Sequence, residues 1–157
     1  MARIHNIEFP KGKILLGSDG KAYLKYNESY VNKFNNNFNK TQMYLDETVA
    51  KELSGYVSFK SGMQSLSIPL STDYGSGIVS ISVPYARFQA YGKVMVGQQS
   101  GSAWAKKGEK KIVTTRDLKY HSNAKRGKFP FERMKADKKD SILRQVSAYA
   151  RRLNNGW

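Results

Sequence analysis

Cysteine is absent from the chain, which excludes disulfides, thiolate metal sites and cysteine nucleophiles together. Histidine is nearly absent. His5 and His121 lie too far apart in sequence to suggest a shared site, and each reads as a surface residue. Acidic residues are scarce, 12 against 27 lysines and arginines. Even Asp137 and Asp140, three apart with Lys138 and Lys139 between them, read as a solvated charged face. With no paired acid and base and no activated nucleophile in view, the expectation is a protein that is not an enzyme and uses no cofactor or metal. No apolar run approaches the roughly 20 residues of a membrane-spanning helix, and the opening M-A-R-I-H-N-I-E-F-P lacks the apolar stretch of a signal peptide. A soluble chain made in the cytosol, with no membrane partner, is expected. Apolar residues are also lean, at 39%, below the roughly 45–50% counted with glycine in ordinary domains. That deficit predicts long exposed segments or a core completed by a partner.

What the chain does have is positive charge, formally +15 over 157 residues. The length suits one domain spanning 1–157, since domains of about 100–150 residues are the commonest. The charge is uneven: residues 93–128 hold ten lysines and arginines against two acids, including K-K-G-E-K-K (106–111) and K-R-G-K (125–128). Such a block is either a solvated segment or an anion-binding surface, and the two agree if it meets a polyanion only after assembly.

The order of elements follows from pattern. K-I-L-L-G-S-D-G-K-A-Y-L-K-Y predicts a β-hairpin within residues 1–26, with turn formers at Gly17-Ser18-Asp19-Gly20. G-S-D-G-K is not a phosphate loop, because neither the spacing nor the following hydroxyl residue of that motif is present. From Ser29 to Leu53 the residues Val31, Phe34, Phe38, Leu45, Val49 and Leu53 recur at helical steps. Asn35, Asn36, Asn37 and Asn39 weaken the first half of that helix, which packing must then hold, and Gly55 suits its end. The stretch Y-V-S-F-K-S-G-M-Q-S-L-S-I-P-L and the alternating I-V-S-I-S-V (78–83), separated by a turn at 73–77, are read as strands, the second half-buried and stopped by Pro84. Tyr85, Phe88 and Tyr91 then line one side of a helical turn. Residues 93–128 form a basic loop or β-arm, with a short strand at 112–115. A last helix opens at Pro130 and ends near Arg151 and Arg152, burying Phe131, Met134, Ile142, Val146, Tyr149 and Leu153. The fold class is therefore α+β: a small β-sheet packed with a long helix in the N-terminal half and a C-terminal helix, plus the basic insertion.

Four stretches in order, Y-V-S-F-K-S-G-M (56–63), V-P-Y-A-R-F-Q-A-Y-G (83–92), A-W-A-K-K-G (103–108) and F-P-F-E-R-M-K-A-D (129–137), resemble the minor capsid protein family of long-tailed bacteriophages over roughly residues 27–153. The chain departs from that pattern at Ser58, Ser61 and Met63, where the family tends to have proline, threonine and leucine. The resemblance implies a head-tail connector or tail completion protein: a small α+β subunit forming a ring, typically of six subunits in such proteins, in the phage neck. It also implies the partners, namely further copies of the chain, a head-closure (stopper) ring, a tail terminator or tail tube, and genomic DNA passing through the lumen. The place would be the virion, after synthesis in the bacterial host cytoplasm. The family description also covers tail terminators.

On this reading Lys106, Lys107, Lys110, Lys111, Arg116, Lys125 and Arg126 are candidates for facing the DNA channel or an adjacent ring, and Tyr85, Arg87 and Tyr91 for contacting a neighbouring subunit. Arg87 either reaches a carboxylate on the next subunit, pairs within its own, or faces water. A charge of +15 would keep free subunits apart until they meet a docking platform. The reading from another class is a sequence-independent, basic DNA-binding protein, with Trp104, Tyr120 and Phe129 interleaved among the cations as stacking platforms.

Overall fold

A computed structural model describes residues 6–9, 14–18, 20–23, 27–120 and 124–155; His5 and His121 lie outside the described residues. The first paired elements are β1 (Ile14–Gly17) and β2 (Gly20–Tyr23), antiparallel with Gly17 opposite Gly20, as the turn formers predict. Helix α1 follows (Glu28–Ser54), within a residue or two of the predicted span. Its N-cap is Asn27, whose side chain accepts the Ser29 N–H at 2.9 Å, and its C-cap is Gly55. The asparagine-rich tract is held as much by polar ties as by packing. Asn35 exchanges two hydrogen bonds with the backbone of Ile7, and buried Asn37 donates to the Leu153 carbonyl at 3.1 Å. Phe38, expected inward, is exposed.

Residues 56–83 contain no strand, which corrects the reading from alternation. Met63–Ser71 form helix α2, with Pro69 inside it at the cost of one backbone rung. Residues 78–83 form no strand ladder, apart from one bridge between Asp73 and Ile78. Their alternation is real, and its partner is a helix end. Val79 and Ile81 pack against the core, while Ser80 bonds to the last turn of α2 through Ser71 Oγ (2.9 Å) and Thr72 Oγ1 (3.3 Å). The predicted turn at 73–77 is present. It is tied to α1 by Asp46, a buried carboxylate that accepts the Gly75 and Gly77 N–H groups at 2.7 and 3.1 Å and the Gln42 side-chain amide at 2.8 Å.

Helix α3 (Ala86–Tyr91) leads into the antiparallel strands β3 (Lys93–Gly97) and β4 (Lys111–Asp117). Helix α4 (Pro130–Asn154) closes the fold, with Pro130 in its first turn and Arg151 and Arg152 in its last. Helices α1 and α4 run antiparallel: Asn37 meets Leu153, Tyr44 stacks on Tyr149 at 4.3 Å, and the Tyr56 hydroxyl donates to Asp137 at 3.0 Å. Asp137 is thus tied to the body, not only solvated, and burial pushes the Tyr56 phenol up with that carboxylate's help. Met134 and Ile142 are buried as predicted, but Phe131 is exposed. The fold is α+β, and its core is helical. Ala50, Leu53, Tyr56, Val57 and Ile68 meet Met134 and Ile142, while the strands form two separate hairpins.

Candidate functional site

The basic segment is a β-arm. Strand β4 packs chiefly on β3 and leaves nearly all its residues exposed, and the residues joining the two strands carry the charge. That tip is organised by Glu109, the one acid among four lysines, Lys106, Lys107, Lys110 and Lys111. Its carboxylate accepts the N–H groups of Gln99 (2.8 Å), Ser100 (2.7 Å) and Lys106 (2.8 Å) and the Ser100 hydroxyl (3.0 Å). These bonds favour the charged form, the Ser100 and Lys106 amides foremost, and hold the carboxyl at about 2 instead of 4.5. Gly97 makes the room: a Cβ there would stand 2.4 Å from both Glu109 Oε1 and Ser100 Oγ.

A depressed pKa means that the tie is complete above the ordinary value and lost as pH falls through the folded value. The Ser100 amide shift, followed by NMR, should therefore stay constant down through pH 4.5 and move with a midpoint near 2. A midpoint at 4.5 would mean that the carboxylate does not organise the tip. Around this knot Lys106, Lys107 and Lys110 are exposed and line a shallow hollow of about 480 Å³. Trp104 stands open to solvent, 88% exposed.

The other sequence candidates separate. Lys111 begins β4, and its ammonium donates to the Ala103 carbonyl at 2.8 Å. Arg116 is exposed further along the strand, and Lys125 is exposed with its carbonyl taken by Arg133 at 3.4 Å. Arg126 is committed to its own chain. Its guanidinium donates to the Val57 carbonyl at 2.8 Å and lies 4.9 Å over the Phe59 ring, clamping the exit of α1. Arg126→Ala should lower stability by about 1–2 kcal/mol through the lost bond and cation–π contact, read as the urea midpoint. An unchanged midpoint would return the residue to the outward-facing set.

Tyr85 borders a small hollow of about 250 Å³ beside the start of α2. Arg87 and Tyr91 meet Lys111 around a larger cleft of about 630 Å³ between α3 and the β-arm, floored by Phe88, Met95, Val113 and Phe129. Gly92 sets this corner. It ends α3 with a left-handed φ of 73° and its N–H on the Phe88 carbonyl at 2.8 Å, and a Cβ there would press on Lys128 Cβ at 3.0 Å. The Phe129 N–H bonds the Ala90 carbonyl at 2.7 Å, and its ring meets Tyr91 edge-on at 6.1 Å. The run V-P-Y-A-R-F-Q-A-Y-G thus presents a fixed surface. Lys93, Met95, Val113 and Phe129 were not among the sequence candidates for it, because strand pairing and the α4 entry bring them there. The isolation of Glu109 among lysines was a legible signal for the tip.

Among the described residues no cluster of histidine and carboxylate side chains could hold a metal ion, and no helix is long and apolar enough to cross a membrane. No family model matches the chain, and no curated protein or solved structure matches it either.

Proposed function

We propose that the protein is a structural subunit of a bacteriophage neck, one of a ring that joins the DNA-filled head to the tail as a head-tail connector or tail completion protein. The observation that carries this reading is the β-arm, an exposed hairpin on a helical body, with a cationic tip braced by Glu109 instead of being left as a loose charged loop. A braced tip suits repeated contact with a polyanion or an acidic ring. The resembling stretches 56–63, 83–92, 103–108 and 129–137 fall at the exit of α1, at α3, at the arm tip and at the entry of α4.

Apolar surface gives further support. Met63, Leu66 and Leu70 expose one row of α2, Leu70 at 79%. Contiguous apolar surface of that kind marks an interaction site more often than a solvated face, and a ring needs such a heterologous contact repeated around its axis. The partners on this reading are further copies of the chain, a head-closure ring, a tail terminator or tube, and the DNA in the lumen. The exposed Trp104 among lysines favours a second reading, a sequence-independent DNA-binding protein.

The deciding experiment is electron microscopy of lysates from a phage whose copy of this gene carries an early stop codon. DNA-filled heads beside detached full-length tails are the expected outcome. Normal joined particles would remove the neck reading, and tight duplex binding by the free chain with a steep salt slope would put the DNA-binding reading in its place.

A further inference from the structure

We propose that the cleft between α3 and the β-arm is a docking site for an acidic, apolar polypeptide segment supplied by a different protein. The cleft offers apolar surface that the chain itself leaves open: Tyr91 is 58% exposed, and Val113 and Phe129 are also exposed at its wall. About 630 Å³ is room for one or two large side chains of a partner. Its geometry is set in advance, because the Phe129 N–H on the Ala90 carbonyl ties α3 to the entry of α4 and the Leu118 N–H on the Gly92 carbonyl ties its end to the exit of β4. Little ordering remains to oppose binding.

The rim selects charge. Arg87, Lys93 and Lys111 surround the opening with no acid lining it. Lys93 is already paired with Asp117 at 2.7 Å, and Lys111 gives one of its donors to the Ala103 carbonyl. Arg87 makes no hydrogen bond or ion pair with any described residue, so its planar fork is open to a carboxylate. An apolar floor under an unpaired guanidinium fits a segment that places an aliphatic or aromatic side chain next to a glutamate or aspartate. DNA would satisfy the cations but leave the floor uncovered.

A second copy of this chain is a poor source of such a segment: its one described acid flanked on both sides by apolar residues, Glu8 in Ile7-Glu8-Phe9, sits in a run tied to α1 by the Ile7–Asn35 bonds and the Phe9 ring against Phe34. Asp46 is buried, Glu109 is closed into the arm tip, Asp137 bonds Tyr56 and Glu52 pairs with Lys138. Glu132 and Asp140 stand among Lys135, Lys139 and Arg144 on α4, and a charge of +15 opposes self-docking. The inference concerns the free chain and stands apart from the neck reading.

The test is fluorescence anisotropy of the full chain with a labelled peptide alternating glutamate with leucine and phenylalanine. The same peptide with glutamine for glutamate, and oligoglutamate without apolar residues, serve as comparators. The acidic apolar peptide is expected to bind at least about tenfold tighter than either, and Arg87→Glu and Val113→Glu, each with an unchanged circular dichroism spectrum, should weaken it by about tenfold or more. Combined Lys106→Gln, Lys107→Gln and Lys110→Gln should leave it within about twofold. Equal binding of oligoglutamate would overturn the proposal, as would equal loss from the tip lysines. So would self-association of the free chain, seen by sedimentation and abolished by Arg87→Glu.

Discussion

Asp46→Ala is expected to destabilise the protein by about 2–4 kcal/mol, because it removes charge-assisted hydrogen bonds and strands buried donors that no other group can satisfy. The carboxylate is 3% exposed and holds the N–H groups of Gly75 and Gly77 together with the Gln42 amide. Water cannot replace it at Gly75, which is buried. The loss would reach beyond the turn, since this turn positions residues 78–83, whose Val79 and Ile81 pack on the core. Asp46→Asn keeps one acceptor oxygen and should lose about half as much. Urea unfolding measures both. Parent-like stability of Asp46→Ala, within about 0.5 kcal/mol, would show that the turn holds without its anchor.

Reversal of the tip lysines should have the opposite profile, with folding unchanged and assembly lost. Lys106, Lys107 and Lys110 are exposed, and the bonds that brace the tip use the Lys106 and Lys110 backbones, not their ammonium groups. Changing all three to glutamate should therefore move the urea midpoint little, by about 0.5 kcal/mol or less. If the arm faces DNA or an acidic ring, like charges then meet at a cost of several kcal/mol. Complementation of the stop-codon phage should fall at least about a hundredfold, since each step of about 1.4 kcal/mol is tenfold. Full complementation by a stably folded variant would remove the arm tip from the joining contact. Replacing Lys111 as well would confuse the result, because its ammonium ties β4 to Ala103 and it lines the cleft.

These two variants divide along the line between what pattern reveals and what it hides. The lysines of the tip were visible as a charge block in the sequence. The role of Asp46 was not, because its partners lie about thirty residues away and are backbone amides of glycines. The same limit explains Arg126. In K-R-G-K it looks like its neighbours, yet its guanidinium reaches back to Val57 and Phe59 while Lys125 stays exposed. Charge alone carries no information about which of two adjacent cations finds a carbonyl.

The sequence by itself determined the two long helices, the first hairpin, the cationic arm and the α+β class, because apolar periodicity, turn residues and charge runs are local properties that each segment expresses alone. Tertiary structure decided the rest. It made 63–71 a helix, left 78–83 without a ladder, and gathered Arg87, Tyr91, Val113 and Phe129 around one cleft. The physical reason is that alternation reports only which side of a segment is buried. Whether its backbone groups bond to a strand or to a helix end such as Ser71 and Thr72 depends on what the folded chain brings beside it.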